Sequence, residues 1–203
     1  MLRRMFDTDN IVFRCIATFG YLWWLHILWL VCSLPIITLG ASTTALCYSC
    51  MKLHNKEGDV TKNFFRSFKD NFRQSTIIFI ILVVVGVFLI IDIFIIGRST
   101  NSLAGNIVKY CAITFLIPYV LTVLYAFAVQ ARYINSVVDT IKYSFVLALR
   151  NIGSTFQIIC IISVVFMLNS TIVLMNFITV SMGVGVIMYV LTIYYNRIFA
   201  KIL

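Results

Sequence analysis

Charged residues are scarce in this sequence, and their scarcity excludes most soluble folds. Only 11% of the 203 residues are Asp, Glu, Lys or Arg, and 62% are apolar. An ordinary soluble domain carries about 25% charged residues, and this chain has too few to cover so much apolar surface. Intrinsic disorder is excluded as well, because disordered chains combine low hydrophobicity with high net charge. The composition therefore indicates an integral membrane protein.

Proline, cysteine and histidine are also few. The 2 prolines, together with repeated apolar runs of spanning length, favour helices over the alternating strands of a β-barrel. The 6 cysteines are far too few for a disulfide scaffold. Catalysis and metal binding need clustered side chains, whereas His26, His54, Cys47 and Cys50 lie apart or in apolar surroundings. We therefore predict no catalytic residue, no metal site and no cofactor, and we expect that the protein is not an enzyme.

Five apolar stretches are long enough to cross a bilayer, which takes about 20 residues of helix. They cover residues 15–34, 75–96, 110–130, 152–170 and 176–196. The last two belong to one uncharged run that is too long for a single span, and a polar cluster at 169–171 marks the turn between them.

The segment from Ile36 to Met51 is uncharged but short for a full crossing. Pro35 and Gly40 are predicted to shape a turn that sends it back into the bundle, because proline lacks a backbone donor and glycine permits sharp geometry. Its small residues suit close helix packing. The predicted fold is an all-α membrane bundle in one domain, residues 1–203. It has five transmembrane helices and one embedded return helix, or at least a re-entrant one, arranged as three hairpins.

The distribution of basic residues predicts the topology. If the return helix is present, 14 of the 16 Lys and Arg residues lie on one side, and only Arg98 and Lys109 lie on the other. Lys and Arg concentrate on the cytoplasmic side, so both termini and the connections 52–74 and 131–151 are predicted to be cytoplasmic. The net charge of +9 then favours an anionic inner leaflet as a partner and needs no nucleic acid.

The connection 52–74 carries an amphipathic pattern. A helix can begin near Asp59 or Thr61, both good N-caps. One face then holds Phe64, Phe65, Phe68 and Phe72, and cations including Arg66 and Arg73 lie around the other. This pattern is typical of a helix at the inner membrane interface or in a partner's groove. The alternative is a solvated helix that packs its phenylalanines on the bundle.

Asp92 is the one acid inside a strongly apolar span. Intramembrane acids are costly and are functional candidates. Asp92 also lies near the end of its helix, where it could reach the outer interface or pair with Arg98. The sequence leaves a structural acid and a residue of a transport path equally open.

Two adjoining motifs resemble a known family. Residues 29–53 read WLVCSLPIITLGASTTALCYSCMKL, and residues 56–76 read KEGDVTKNFFRSFKDNFRQST. The order of SLP, TxG, AL and EGDV followed by spaced phenylalanines is similar to the YesL family of bacterial membrane proteins, a DUF624-like domain of unknown function. Ala41 departs from the proline that often follows the glycine in that family. The resemblance implies a multi-pass protein of the bacterial cell membrane that accompanies carbohydrate uptake systems by genome neighbourhood.

These observations lead to one main hypothesis and two alternatives. The main hypothesis is a non-enzymatic accessory protein that binds a partner, such as a sugar-uptake permease. The first alternative is a small transporter or channel subunit with a polar path formed by Asp92 and the polar residues of 36–51. A membrane enzyme acting on lipid-linked substrates is the second. The oligomeric state and any solute stay open.

Overall fold

The computed structural model describes residues 11–96 and 103–201, and these residues form helices joined by short connections, with no strand among them. The α-helices are α1 (Ile11–Cys32), α2 (Leu39–His54), α3 (Val60–Ile91), α4 (Leu103–Arg132), α5 (Val137–Arg150), α6 (Ile152–Thr171), α7 (Val173–Ile178) and α8 (Val184–Ala200). A 3-10 turn (Ile36–Thr38) precedes α2, and π-helical turns follow α3 (Asp92–Ile96) and α7 (Thr179–Gly183).

Six helical stretches of the described chain are long and apolar enough to cross a membrane. They are Cys15–Cys32, Ile36–His54, Val60–Phe94, Lys109–Arg132, Ile152–Thr171 and Met175–Ala200. The predicted all-α membrane bundle is confirmed, and the weakly apolar segment after Pro35 is one of its helices. The break predicted in the last apolar run lies at Ile172, which has extended backbone angles between α6 and α7.

The return helix α2 is the centre of the bundle. More than half of its most apolar stretch is buried (56%), compared with at most 33% in the other five. It packs antiparallel along the first half of α3. Near its start, the Thr44 and Ser75 hydroxyls lie 2.9 Å apart, and near its end Leu46 and Cys50 pack around Phe64. The segment whose length made it doubtful as a span therefore holds the other helices together.

The turn before α2 differs from the prediction in one respect. Pro35 lies in it, as expected, and the Thr38 hydroxyl closes it by hydrogen bonds to the carbonyl oxygens of Cys32 (2.5 Å) and Pro35 (2.6 Å). Gly40 does not lie in the turn, because it is already inside α2. Its backbone instead packs so closely on Ser75 and Phe79 that no Cβ atom would fit. The expectation that Gly40 shapes the turn is therefore wrong: glycine is needed there for close helix packing.

The connections predicted to be cytoplasmic contain more helix than the apolar runs suggested. No separate amphipathic helix precedes the second predicted span, because residues 60–91 form one continuous helix about 48 Å long at 1.5 Å per residue. The connection 131–151 consists mostly of α5, which is amphipathic and packs on α4. Arg3, Arg4 and Arg98, which contribute to the charge count, lie outside the described residues.

Candidate partner-binding surface

The start of α3 is fixed by a rigid loop after α2. Asp59 caps the helix: its Oδ1 accepts a hydrogen bond from the Lys62 backbone N–H at 2.9 Å. Glu57 pairs with Lys52 at 2.5 Å, and the Asn63 side chain donates to the Glu57 carbonyl at 2.9 Å. The hydrogen bond and positive charge of Lys52 lower the pKa of Glu57. Since three contacts hold these few residues, the direction in which α3 leaves the loop is set.

The phenylalanines of α3 do not share one environment. Phe64 is fully buried in a cluster with residues of α1 and α2, and Phe68 stacks on it with ring centroids 6.3 Å apart. Phe65 and Phe72, which follow each other at i and i+7, keep 49% and 40% of their surface exposed. The predicted single phenylalanine face is thus divided between the core and the protein surface.

The cations of α3 lie away from the core. The exposed residues Lys62, Arg66, Lys69 and Arg73 follow at i, i+4, i+7 and i+11 and form one stripe. Arg66 approaches Asp70 at 3.7 Å, and both side chains stay well exposed. We name Phe65, Phe72 and these four cations together the aromatic–cationic face. Apolar rings beside cations can meet either a membrane interface or an apolar groove with an acidic rim.

A buried polar network that the sequence analysis missed supports this half of α3. The side chain of Gln130, only 2% exposed, donates to Asn71 (3.1 Å) and Gln74 (2.8 Å) of α3 and accepts from Thr140 (3.0 Å) of α5. Both amide hydrogens are used, so the network is satisfied within the protein. The sequence did contain a signal for this network. Asn71 and Gln74 are polar residues on the inner side of an amphipathic stretch, where a buried hydrogen-bond partner is expected.

The two parts of the predicted polar path do not meet. Asp92 begins the π-helical turn after α3. The first turn of α2 contacts α3 at Phe79, which precedes Asp92 by about 20 Å along the helix. Two polar side chains of α2 also bond to neighbouring helices: Thr43 accepts from Trp29, and Thr44 pairs with Ser75. Pairing of Asp92 with Arg98 involves a residue outside the described part of the chain.

The histidine and the two cysteines considered as chemical candidates lie in the packed interior of the bundle. His26 is buried, and its Nε2 donates to the carbonyl of Val180 at 2.8 Å, inside the second π-helical turn. Cys47 and Cys50 are buried in two different apolar clusters. Within the described residues, no three His, Cys, Asp or Glu side chains are grouped so that they could hold a metal ion.

Comparison with known proteins gives one match. Residues 22–93 match the model of a family described as "Protein of unknown function, DUF624", so the resemblance predicted from the motifs at 29–53 and 56–76 is confirmed. The matched region contains α2, all of α3 and the aromatic–cationic face. No curated protein and no solved structure matches the chain.

Proposed function

We propose that this chain, whose residues 22–93 match the DUF624 family model, is a non-enzymatic accessory component of a bacterial membrane assembly. It binds its partner through the aromatic–cationic face of α3. The protein lies in the cell membrane with both termini in the cytoplasm, and the partner is a permease of carbohydrate uptake.

The observation that carries the proposal is the division of α3 into an inner and an outer side. The inner side is anchored by Phe64 and by the Gln130 network, so the outer side is held in a fixed orientation. Phe65 and Phe72 present exposed rings from this fixed helix. Aromatic residues, Phe among them, and Arg are enriched at the cores of protein interfaces.

The hydrogen bonds of three buried polar side chains support a non-enzymatic role. Gln130, Thr44 and His26 each form hydrogen bonds between helices. Groups that hold helices together in this way are positioned for packing, not for contact with a substrate. The choice of a sugar-uptake permease rests on the family resemblance stated above, and an acidic groove on that partner would complement the four cations.

The test is site-specific photocrosslinking in living cells. A photoreactive amino acid replaces Phe65 or Phe72 in the full-length protein, and crosslinked products are identified after mild detergent extraction. We expect both positions to crosslink to a permease subunit.

Phe88 is the matched control. It lies on the same helix and is 65% exposed, but it belongs to the apolar second half of α3, where lipid is the expected neighbour. Crosslinks to lipid alone at residues 65 and 72, or the same products from all three positions, would contradict the proposal.

A further inference from the structure

A polar cavity opens beside the rigid loop that starts α3. Its volume is about 540 Å³. The walls come from α1, the end of α2, the loop and α8, and the polar side chains among them are Thr18, Tyr21, His54, Lys56, Asp59 and Tyr189. Two of these, Lys56 and Asp59, belong to the sequence KEGD at residues 56–59, so the segment that carries the family resemblance lines this cavity.

The loop holds Lys56 in an unusual conformation. Its φ is +57°, in the left-handed region that non-glycine residues avoid, and Gly58 follows at +68°. Lys56 directly follows the C-cap of α2, where a left-handed residue commonly ends a helix, and the Glu57 backbone N–H closes this end by donating to the Lys52 carbonyl at 2.9 Å. Further contacts in the loop are the Lys52–Glu57 pair, the Asn63 hydrogen bond and the Asp59 cap. Together they fix the backbone from which Lys56 extends at the cavity.

An apolar groove continues from this cavity. It measures about 460 Å³, runs between α1 and α8, and shares Thr18 and Tyr189 with the polar cavity. Its other walls are apolar or weakly polar: Cys15, Phe19, Leu22, Val186 and Val190. The combined site therefore changes from charged to apolar along its length, as an amphiphilic molecule does.

We propose that this site binds one phospholipid with a primary amine in its headgroup, of the phosphatidylethanolamine class. The Lys56 ammonium faces the phosphate. The Asp59 carboxylate uses Oδ1 for the helix cap and offers Oδ2 to the lipid ammonium, while an acyl chain follows the groove between α1 and α8. One cation and one carboxylate on the same cavity complement a zwitterion better than a headgroup with negative charge alone.

The experiment is native mass spectrometry on the full-length protein. The protein is reconstituted in vesicles of equal parts phosphatidylethanolamine and phosphatidylglycerol with matched acyl chains, and is then released. We expect one phosphatidylethanolamine per chain, retained in clear excess over phosphatidylglycerol.

Two variants remove one charge each while keeping the backbone. Lys56→Asn keeps a residue that tolerates the left-handed conformation, and Asp59→Asn keeps a good helix cap. Each should lower the occupancy about tenfold, as expected for loss of a hydrogen bond to a charged group. Lys142→Gln, which removes an exposed cation on α5 away from the cavity and from the aromatic–cationic face, should leave occupancy unchanged.

Equal retention of the two lipids would overturn the proposal, because the lipid would then be annular only. Wild-type retention by Lys56→Asn would do the same. If Asp59→Asn lowers the melting temperature, only the lipid occupancy of Lys56→Asn tests the proposal, because the Lys56 side chain takes no part in the helix cap.

Discussion

Gly40 packs directly on the backbone of Ser75. A Cβ atom built on Gly40 would lie 2.6 Å from the Cβ of Phe79 and closer still to the Ser75 carbonyl oxygen. No flexible side-chain end occupies that space, so α2 and α3 would have to separate to admit even a methyl group. The close packing of α2 on α3 therefore depends on this glycine.

We predict that Gly40→Ala destabilises the protein by about 1–3 kcal/mol, the usual cost of overpacking. Gly20→Ala is the control, because a Cβ at Gly20 meets nothing within 4 Å; it should be neutral or stabilise by up to about 1 kcal/mol through helix propensity. Thermal unfolding in detergent measures both. Equal melting temperatures for Gly40→Ala and Gly20→Ala would show that α2 and α3 are not in close contact at Gly40.

Gln130→Leu should strongly destabilise the protein. The change leaves the polar groups of Asn71, Gln74 and Thr140 without their shared partner, at about 1–3 kcal/mol for each buried group left unpaired. Gln157→Leu at an exposed position of α6 is the matched substitution and should have little effect. A Gln130→Leu protein as stable as the Gln157→Leu protein would mean that water replaces the network.

Phe64 and Phe65 are adjacent in sequence but should respond in opposite ways. Phe64→Ala should cost about 3–5 kcal/mol of stability, because it empties a closed site in the core. Phe65→Ala should change stability little and should reduce copurification of the partner. Melting temperature and pull-down yield from native membranes separate the two effects. Similar stability losses in both variants would remove the distinction between the inner and outer sides of α3.

The topology can be checked with reporter fusions. A reporter after Ile134, in the loop between α4 and α5, should be cytoplasmic, as should one after Leu203. A reporter after Ile172, between α6 and α7, should be external. Active alkaline phosphatase after Ile134 would reverse the assignment, and the excess of internal basic residues would then need another explanation.

Lowering the pH should destabilise the loop between α2 and α3. The pKa of Glu57 is lowered by Lys52, so the ion pair contributes fully above the ordinary carboxyl pKa and is lost as pH falls through the lowered value. Hydrogen exchange of residues 52–63, corrected for intrinsic pH dependence, should therefore rise as the solution is acidified below that range. Glu57→Gln should already exchange faster at neutral pH and show no such rise. A rise of equal size in both proteins would assign it to another group.

The parts of the fold that depend on local sequence could be predicted. Length and hydropathy identified the five strong spans, and Asp59 marked the start of α3. The polarity change near Ser75 was interpreted as the end of one helix and the start of another. It marks a change of surroundings along a continuous helix, since no proline interrupts residues 60–91.

The parts that depend on distant contacts could not be predicted. Nothing near Gly40 in the sequence indicates that Ser75 lies against it. Periodicity separates Phe64 from Phe65 by about 100° on the helix, but only the packing of α1 and α2 decides which of them is buried. Gln130 lies at the end of an apolar span. Its role depends on Asn71 and Gln74, which lie 59 and 56 positions earlier in the chain.

The continuity of α3 also bears on mechanics. Because α3 is one continuous helix of about 48 Å, it has no joint where its surroundings change. A displacement of the helix at Phe65 would therefore also displace its far end near Asp92. The second half of the rod pairs with α4 through the Tyr119 hydroxyl, which donates to the Leu82 carbonyl at 3.0 Å. Because α3 is bonded to α4 in this way and packs on α2 at Gly40, a tilt of α3 would also displace both of these helices.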